Sequence, residues 1–373
     1  MAAVSIGVPA YAQNDTAFAS VAYDAAGKNN ADTSKQNYVL FYQHSSGDIR
    51  KMVWNQTTWY PSEFVTNSAR IGTGLSAVSF GAPPTLIYLY YTDRDGILQE
   101  LRGAHASNEW NNGTLGTAGF KVTNSHSALS AKYQGKCGKR GNIGWVLYQS
   151  DAGIQEALWD HDQDSWSNQV LFKDIQPGSD LVSTIESSAT TAWRLFGIKK
   201  NLQLQEYLCN TACTNASNPW VQGESIVSRM DGSRIADDKG AKGLNGVAVT
   251  NSTLELGGAS VNDSRLIYFQ DPQSNIRESN NTDFSNPTGL SEGWVANAST
   301  CANVGLEANS SGAGIIVTPA MKGSKIHMAS GFKGLTPQMF LFYQANGTDV
   351  TVRTRLQNQV GQWSDPVALP VGV

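Results

Sequence analysis

A unit of strand, tight polar turn, strand and tryptophan recurs six times along the 373 residues, and no other feature constrains the fold so strongly. The copies read VLFYQHSSGDIRK from Val39, YLYYTDRDGILQE from Tyr88, WVLYQSDAGIQE from Trp145, RLFGIKKNLQLQE from Arg194, LIYFQDPQSNIRE from Leu266 and FLFYQANGTDVTV from Phe340. Trp59, Trp110, Trp166, Trp220, Trp294 and Trp363 follow them. Short runs such as ASVAY, LSAVSF, SALSAKY, LVSTIES and HMASGF supply another strand upstream of most copies. Turns such as SSGD, DRDG and ANGTD close hairpins between strands of about five residues. One such sheet cannot bury both its faces alone, so the blades must pack radially around an axis. The chain is thus predicted to be all-β, a six-bladed β-propeller. Helices should be rare, because no segment keeps a 3.6-residue period beyond two turns. The recurring tryptophan is first a packing residue between blades.

Successive copies begin 49, 57, 49, 72 and 74 residues apart. The two long intervals predict loop-like, sequon-bearing insertions near 221–262 and 279–330, decorating one rim. Residues 1–18 read as an N-terminal segment or leader remnant, and 19–373 as a single propeller.

Only 16% of residues are charged and the net charge is −4. That balance leaves no electrostatic footprint for nucleic acid or an anionic membrane surface. No stretch approaches the roughly 18 apolar residues of a membrane span. Sequons begin at Asn14, Asn55, Asn112, Asn215, Asn251, Asn262, Asn280, Asn297, Asn309 and Asn346, which favours a secreted, N-glycosylated protein. Ala10-Tyr11-Ala12 has the small-x-small form of a signal-peptidase site, the alternative being an ordinary first strand. Cys209 and Cys213 lie in CNTACTNAS, where a local disulfide is reasonable and a metal site is the sharper alternative. Cys137 and Cys301 either pair with each other or stay as buried thiols.

The repeat resembles the six-fold R-V-Y-Y-Q…I-R-E…W pattern of the fungal fucose-specific lectins, the Aleuria type, over residues 19–373. The resemblance implies a sugar site in each copy, built from the arginine and glutamate of the pattern with an aromatic ring on the apolar face of fucose. A guanidinium and a carboxylate bracket hydroxyls with charge-assisted hydrogen bonds while the ring covers C–H groups. The arginine position holds Val39, Tyr88, Trp145, Arg194, Leu266 and Phe340, and the glutamate position holds Lys51, Glu100, Glu156, Glu206, Glu278 and Val352. Only the fourth copy keeps both, as Arg194 and Glu206, with Trp220 as its expected aromatic. Losing five arginines of six would remove most of the multivalency.

The apolar replacements suggest either better-packed blades or a pocket for an apolar ligand near Tyr88, Trp145 or Phe340. No G-x-S-x-G, H-E-x-x-H, phosphate loop or dinucleotide fingerprint is present, and no metal or organic cofactor is expected. The histidines, His44, His105, His126, His161 and His327, are scattered. The chain is similar in general character to fungal hetero-Diels–Alderases that join a tropolone-derived quinone methide to a humulene-type sesquiterpene. That analogy implies an aromatic pocket with Glu100, Glu156 or Glu278 assisting proton transfer. The sequence reading leans to this cofactor-free pericyclase, with a lectin for fucosylated glycans as the alternative and a structural module as a third class.

Overall fold

The computed structural model describes residues 12–14, 16–24, 36–80, 86–104, 108–123, 128–134, 143–160, 165–178, 180–185, 193–200, 204–209, 220–226, 256–261, 264–270, 274–281, 315–333, 336–356 and 362–371. The expected insertions fall mostly outside these residues, as do Trp294, Cys137, Cys213 and Cys301.

The strands form six four-stranded antiparallel sheets, each built from consecutive strands, and the propeller is six-bladed. Blade one comprises Phe18–Asp24, Gln36–Gln43, Ile49–Trp54 and Glu63–Thr66. Blade two comprises Leu75–Phe80, Leu86–Thr92, Leu98–Ala104 and Trp110–Asn112. Blade three holds Ser130–Gln134, Ile143–Ser150, Gly153–Asp160 and Ser165–Phe172; blade four holds Leu181–Ile185, Trp193–Ile198, Leu204–Cys209 and Trp220–Ile226. Blade five holds Leu256–Val261, Ser264–Gln270, Asn275–Asn281 and Ile315–Pro319; blade six holds His327–Lys333, Thr336–Tyr343, Thr351–Leu356 and Val367–Ala368. The first strands neighbour one another around the axis, and blade six closes on blade one.

Burial grades outward in each blade. The second strand is sandwiched between two neighbouring blades, so both of its faces are apolar: Val39, Leu40, Phe41 and Tyr42 are all buried. The fourth strand lies at the rim, and Ser165–Phe172 is mostly exposed or half-buried. The ring rests on inter-blade contacts rather than on one central core.

A buried carboxamide links most blades to the next. The glutamine ending the second strand donates to the hairpin of its own blade and to the turn leading into the following one. Gln43 Nε2 donates to the Gly47 and Arg70 carbonyls, and Gly72 N–H donates to Gln43 Oε1 at 2.8 Å. Gln149 repeats this with Gln176 O and Gly178 N–H, and Gln270 with Met321 O and Gly323 N–H. Gly72, Gly178 and Gly323 have φ of 73°, 80° and 80°, a left-handed turn that aims the amide at the carboxamide. Thr92 and Ile198 stand at this position in blades two and four.

The sixth linkage closes the ring. Gln344 Nε2 donates to Gln13 O, Thr16 N–H donates to Gln344 Oε1, and Ala12 N–H reaches Thr348 O at 3.0 Å. Ala12, Gln13 and Thr16, which the sequence reading placed in the N-terminal segment, thus bond to the ring. Gln13 N–H in turn donates to Gln43 O of blade one at 2.8 Å.

Replacing Gln43 with Ala should destabilise the fold by about 3 kcal/mol, since a buried amide and two carbonyls lose their partner. Chemical denaturation of Q43A measures this, and a loss below about 1 kcal/mol would show that water substitutes for the linkage.

Candidate functional site

Side chains alternate across a strand, and cross-strand partners share a face. In blade four Arg194 pairs with Leu208 and Phe196 with Glu206, so Arg194 and Glu206 share one face. Trp220 pairs with Cys209, one residue out of phase, and lies on the other face. The tryptophan of a copy therefore serves the cleft shared with the preceding blade, which corrects the expected grouping of Trp220 with Arg194 and Glu206. Trp110 meets Phe41 of blade one edge-on at 5.6 Å, Trp59 meets Phe342 of blade six at 5.7 Å, and Trp363 meets Tyr268 of blade five at 6.1 Å.

Arg194 donates from Nη1 to Glu206 Oε1 at 2.5 Å, and both side chains are 0% exposed. The pair that fits the family pattern best is thus interior.

Between blades three and four, Trp145 and Leu147 pack against Tyr207, Cys209 and Trp220. Glu156 accepts from Gln169 Nε2 at 2.7 Å and from Trp220 Nε1 at 3.4 Å. Burial pushes the Glu156 carboxyl above its usual range, against the lowering effect of those two donors. The cavity beside it measures about 10 Å³ and holds at most one water. Trp145 fills the place of the missing guanidinium.

Between blades six and one, Phe340 is buried, with its ring 4.7 Å from Tyr38 and 5.2 Å from Trp54. Val352 lies in the same apolar cluster. The rings there pack on one another.

Elsewhere the cation has moved. In blade two Tyr88 pairs with Arg102 and Tyr90 with Glu100, which places all four on one face. Arg102 Nε donates to Glu100 Oε1 at 2.6 Å, and its guanidinium sits 5.3 Å from the Tyr88 ring centroid. The Arg102 side chain is 32% exposed and that of Glu100 is 2%. From blade three Trp166 Nε1 donates to Thr114 Oγ1 at 3.1 Å, and Arg102 Nη2 reaches the same oxygen at 3.5 Å. Gly113 makes the arrangement possible, because a Cβ there would lie 1.8 Å from Glu100 Oε1.

Between blades five and six the guanidinium comes from the neighbouring blade. Arg355 Nη1 lies 3.3 Å from Glu278 Oε1, Arg355 Nη2 donates to the Tyr268 hydroxyl, and that hydroxyl donates to Glu278 Oε2 at 2.7 Å. The Trp363 ring lies 5.0 Å from the same guanidinium. Leu266 sits opposite Asn280 in register. Between blades one and two, Lys51 at the glutamate position pairs with Glu63 at 3.1 Å, so the charges are exchanged, and Val39 is buried beside them. Sequence reasoning missed Arg102, Arg355 and Glu63. Arg102 was within reach of it, since strand alternation places a residue two after Glu100 on the same face.

The sequence profile of the fungal fucose-specific lectins matches residues 15–236, more than half of the chain. No curated protein matches. Among solved structures, AofleA from Arthrobotrys oligospora is 19% identical, with a TM-score of 0.66 over 97% of this chain and 88% of that one. A variant of the Aleuria aurantia lectin in complex with alpha-methyl-L-fucoside is 17% identical, with a TM-score of 0.63 over 97% and 98%. The lectin BP39L from Burkholderia pseudomallei is 12% identical, with a TM-score of 0.53 over 96% and 85%. These similarities establish the shared propeller fold.

Replacing Arg194 with Met leaves Glu206 buried and should cost about 3–5 kcal/mol of stability. The same measurement on Arg102→Ala should show a smaller loss of about 1–2 kcal/mol, because removing the partly exposed Arg102 opens the Glu100 carboxylate to water. Equal losses would contradict the contrast in burial. A raised carboxyl pKa favours the fold at low pH, a contribution lost as pH climbs through the folded value. The stability of Glu156→Gln relative to the unmodified protein should therefore improve as pH rises from about 4 to about 7. A difference that is flat across this range would contradict the burial effect.

Proposed function

Because the chain belongs to the fungal fucose-specific lectin family, we propose that it binds fucosylated glycans, chiefly at the cleft between blades two and three. The observation that carries this reading is the partly exposed Arg102 guanidinium, held on the buried Glu100 carboxylate beside Tyr88 and Trp166. A guanidinium and a carboxylate there can share a sugar's vicinal hydroxyls, and the rings can cover its C–H face. At the other charged clefts access is poorer: Arg194–Glu206 and Arg355–Glu278 are interior. The lectin acts outside the cell in this reading, as the sequons suggest, and a glycan on exposed Asn112 would stand beside Gly113 and Thr114 at the mouth of the cleft.

The cofactor-free hetero-Diels–Alderase considered from the sequence requires an open aromatic pocket for a tropolone-derived quinone methide and a sesquiterpene. Phe340 is packed into the inter-blade cluster, and Trp145 leaves room for one water. No specific feature favours that reading over glycan binding.

Titration calorimetry with alpha-methyl-L-fucoside should show one dominant site per chain. Arg102→Ala and Glu100→Gln should each weaken it by tenfold or more, about 1.4 kcal/mol. Binding unchanged in both variants, or several equivalent sites per chain, would overturn the assignment.

A further inference from the structure

We propose that the central channel of the propeller is a second binding site, one for a small carboxylate anion of up to hexonate size. The channel encloses about 250 Å³ and is lined by the first strands of the blades. Its charged side chains among the described residues are Lys132 of blade three, Asp180 leading into blade four, and Lys325 with His327 at the start of blade six.

Lys325 and Asp180 neutralise each other across a buried 3.0 Å ion pair. His327 Nε2 engages the Ser20 hydroxyl at 2.8 Å. Its pKa is pushed down to about 4, first by burial and then by the Lys132 ammonium on the opposite side of the ring, with Asp180 acting the other way. The imidazole is therefore neutral near pH 7. Lys132 is half-buried on the channel wall and has no hydrogen-bond or ion-pair partner among the described residues, and desolvation lowers it to about 8. It still carries its proton at neutral pH, so among the described residues the channel holds one cation without a counter-charge. A partly desolvated cation in a narrow channel attracts an anion more strongly than one in open water does.

The surroundings suit an organic anion better than a bare halide. Ser130 and Ser183 meet at 2.6 Å on the channel wall, and with Ser20 they offer hydroxyls to a hydroxylated carboxylate. Lys132 and Ser130 also border the small cavity beside Glu156. The site shares no residue with the Arg102–Glu100 cleft.

Sodium gluconate, titrated calorimetrically at about pH 7 in buffer of low chloride, should bind at one saturable site per chain. Its affinity should fall more than tenfold by about pH 10, as Lys132 loses its proton. Lys132→Met should abolish gluconate binding, leave fucoside binding unchanged and raise the unfolding midpoint in anion-free buffer. If that variant fails to fold, nuclear magnetic resonance of the methylated lysines of the unaltered protein decides: the Lys132 pKa must rise when gluconate is added. Gluconate binding that persists in Lys132→Met, an equal affinity for neutral methyl glucoside, an unmoved Lys132 pKa, or the lack of a saturable site would each overturn the proposal.

Discussion

Each blade of this propeller has two faces, and each face belongs to a different cleft. This follows from side-chain alternation along the strands and from the sandwiching of every second strand between neighbours. One face presents the residues at the arginine and glutamate positions forward, to the next blade; the other presents the tryptophan backward, to the preceding one. Arg194, Glu206 and Trp220 come from one repeat yet sit in two clefts. The repeat in the sequence and the site in the structure are thus offset by half a blade. Buried glutamines such as Gln43 and Gln344 hold that offset by fixing each hairpin to the turn that begins the next blade.

The same constraint explains why charge pairs persist after the arginine position has changed. A buried carboxylate such as Glu100 or Glu278 is costly unless a cation or several donors face it. The clefts find the opposite charge at different neighbouring positions. Arg102 comes from the adjacent position of the same strand as Glu100, and Arg355 comes from the next blade. Glu63 comes from the rim to meet Lys51. Glu156 has no arginine and relies on an indole and a carboxamide, and its raised pKa records that weaker compensation. What has drifted is the source of the cation.

The fold was legible in the sequence because blade chemistry is local: apolar second strands, turn glycines and rim tryptophans recur in register. The positions of Arg194 and Glu206 on one face could also be read from strand alternation. The partner of Trp220 could not, because which blade a face meets depends on the ring as a whole. Arg355 was hidden for the same reason, since it acts on Glu278 some 77 positions earlier in the chain. The apolar replacements gave no sign of whether they open or fill a cleft. Phe340 and Trp145 fill theirs, a matter of packing against Tyr38, Trp54 and Trp220 that no single repeat encodes.

The account turns on which cleft admits sugar. The most direct measurement is a crystal structure of the protein soaked with alpha-methyl-L-fucoside. The prediction is sugar density between blades two and three, with hydroxyls within hydrogen-bond distance of Arg102 and Glu100 and the Trp166 ring against the sugar. Density at Arg194–Glu206 with the cleft at Arg102 empty would contradict it.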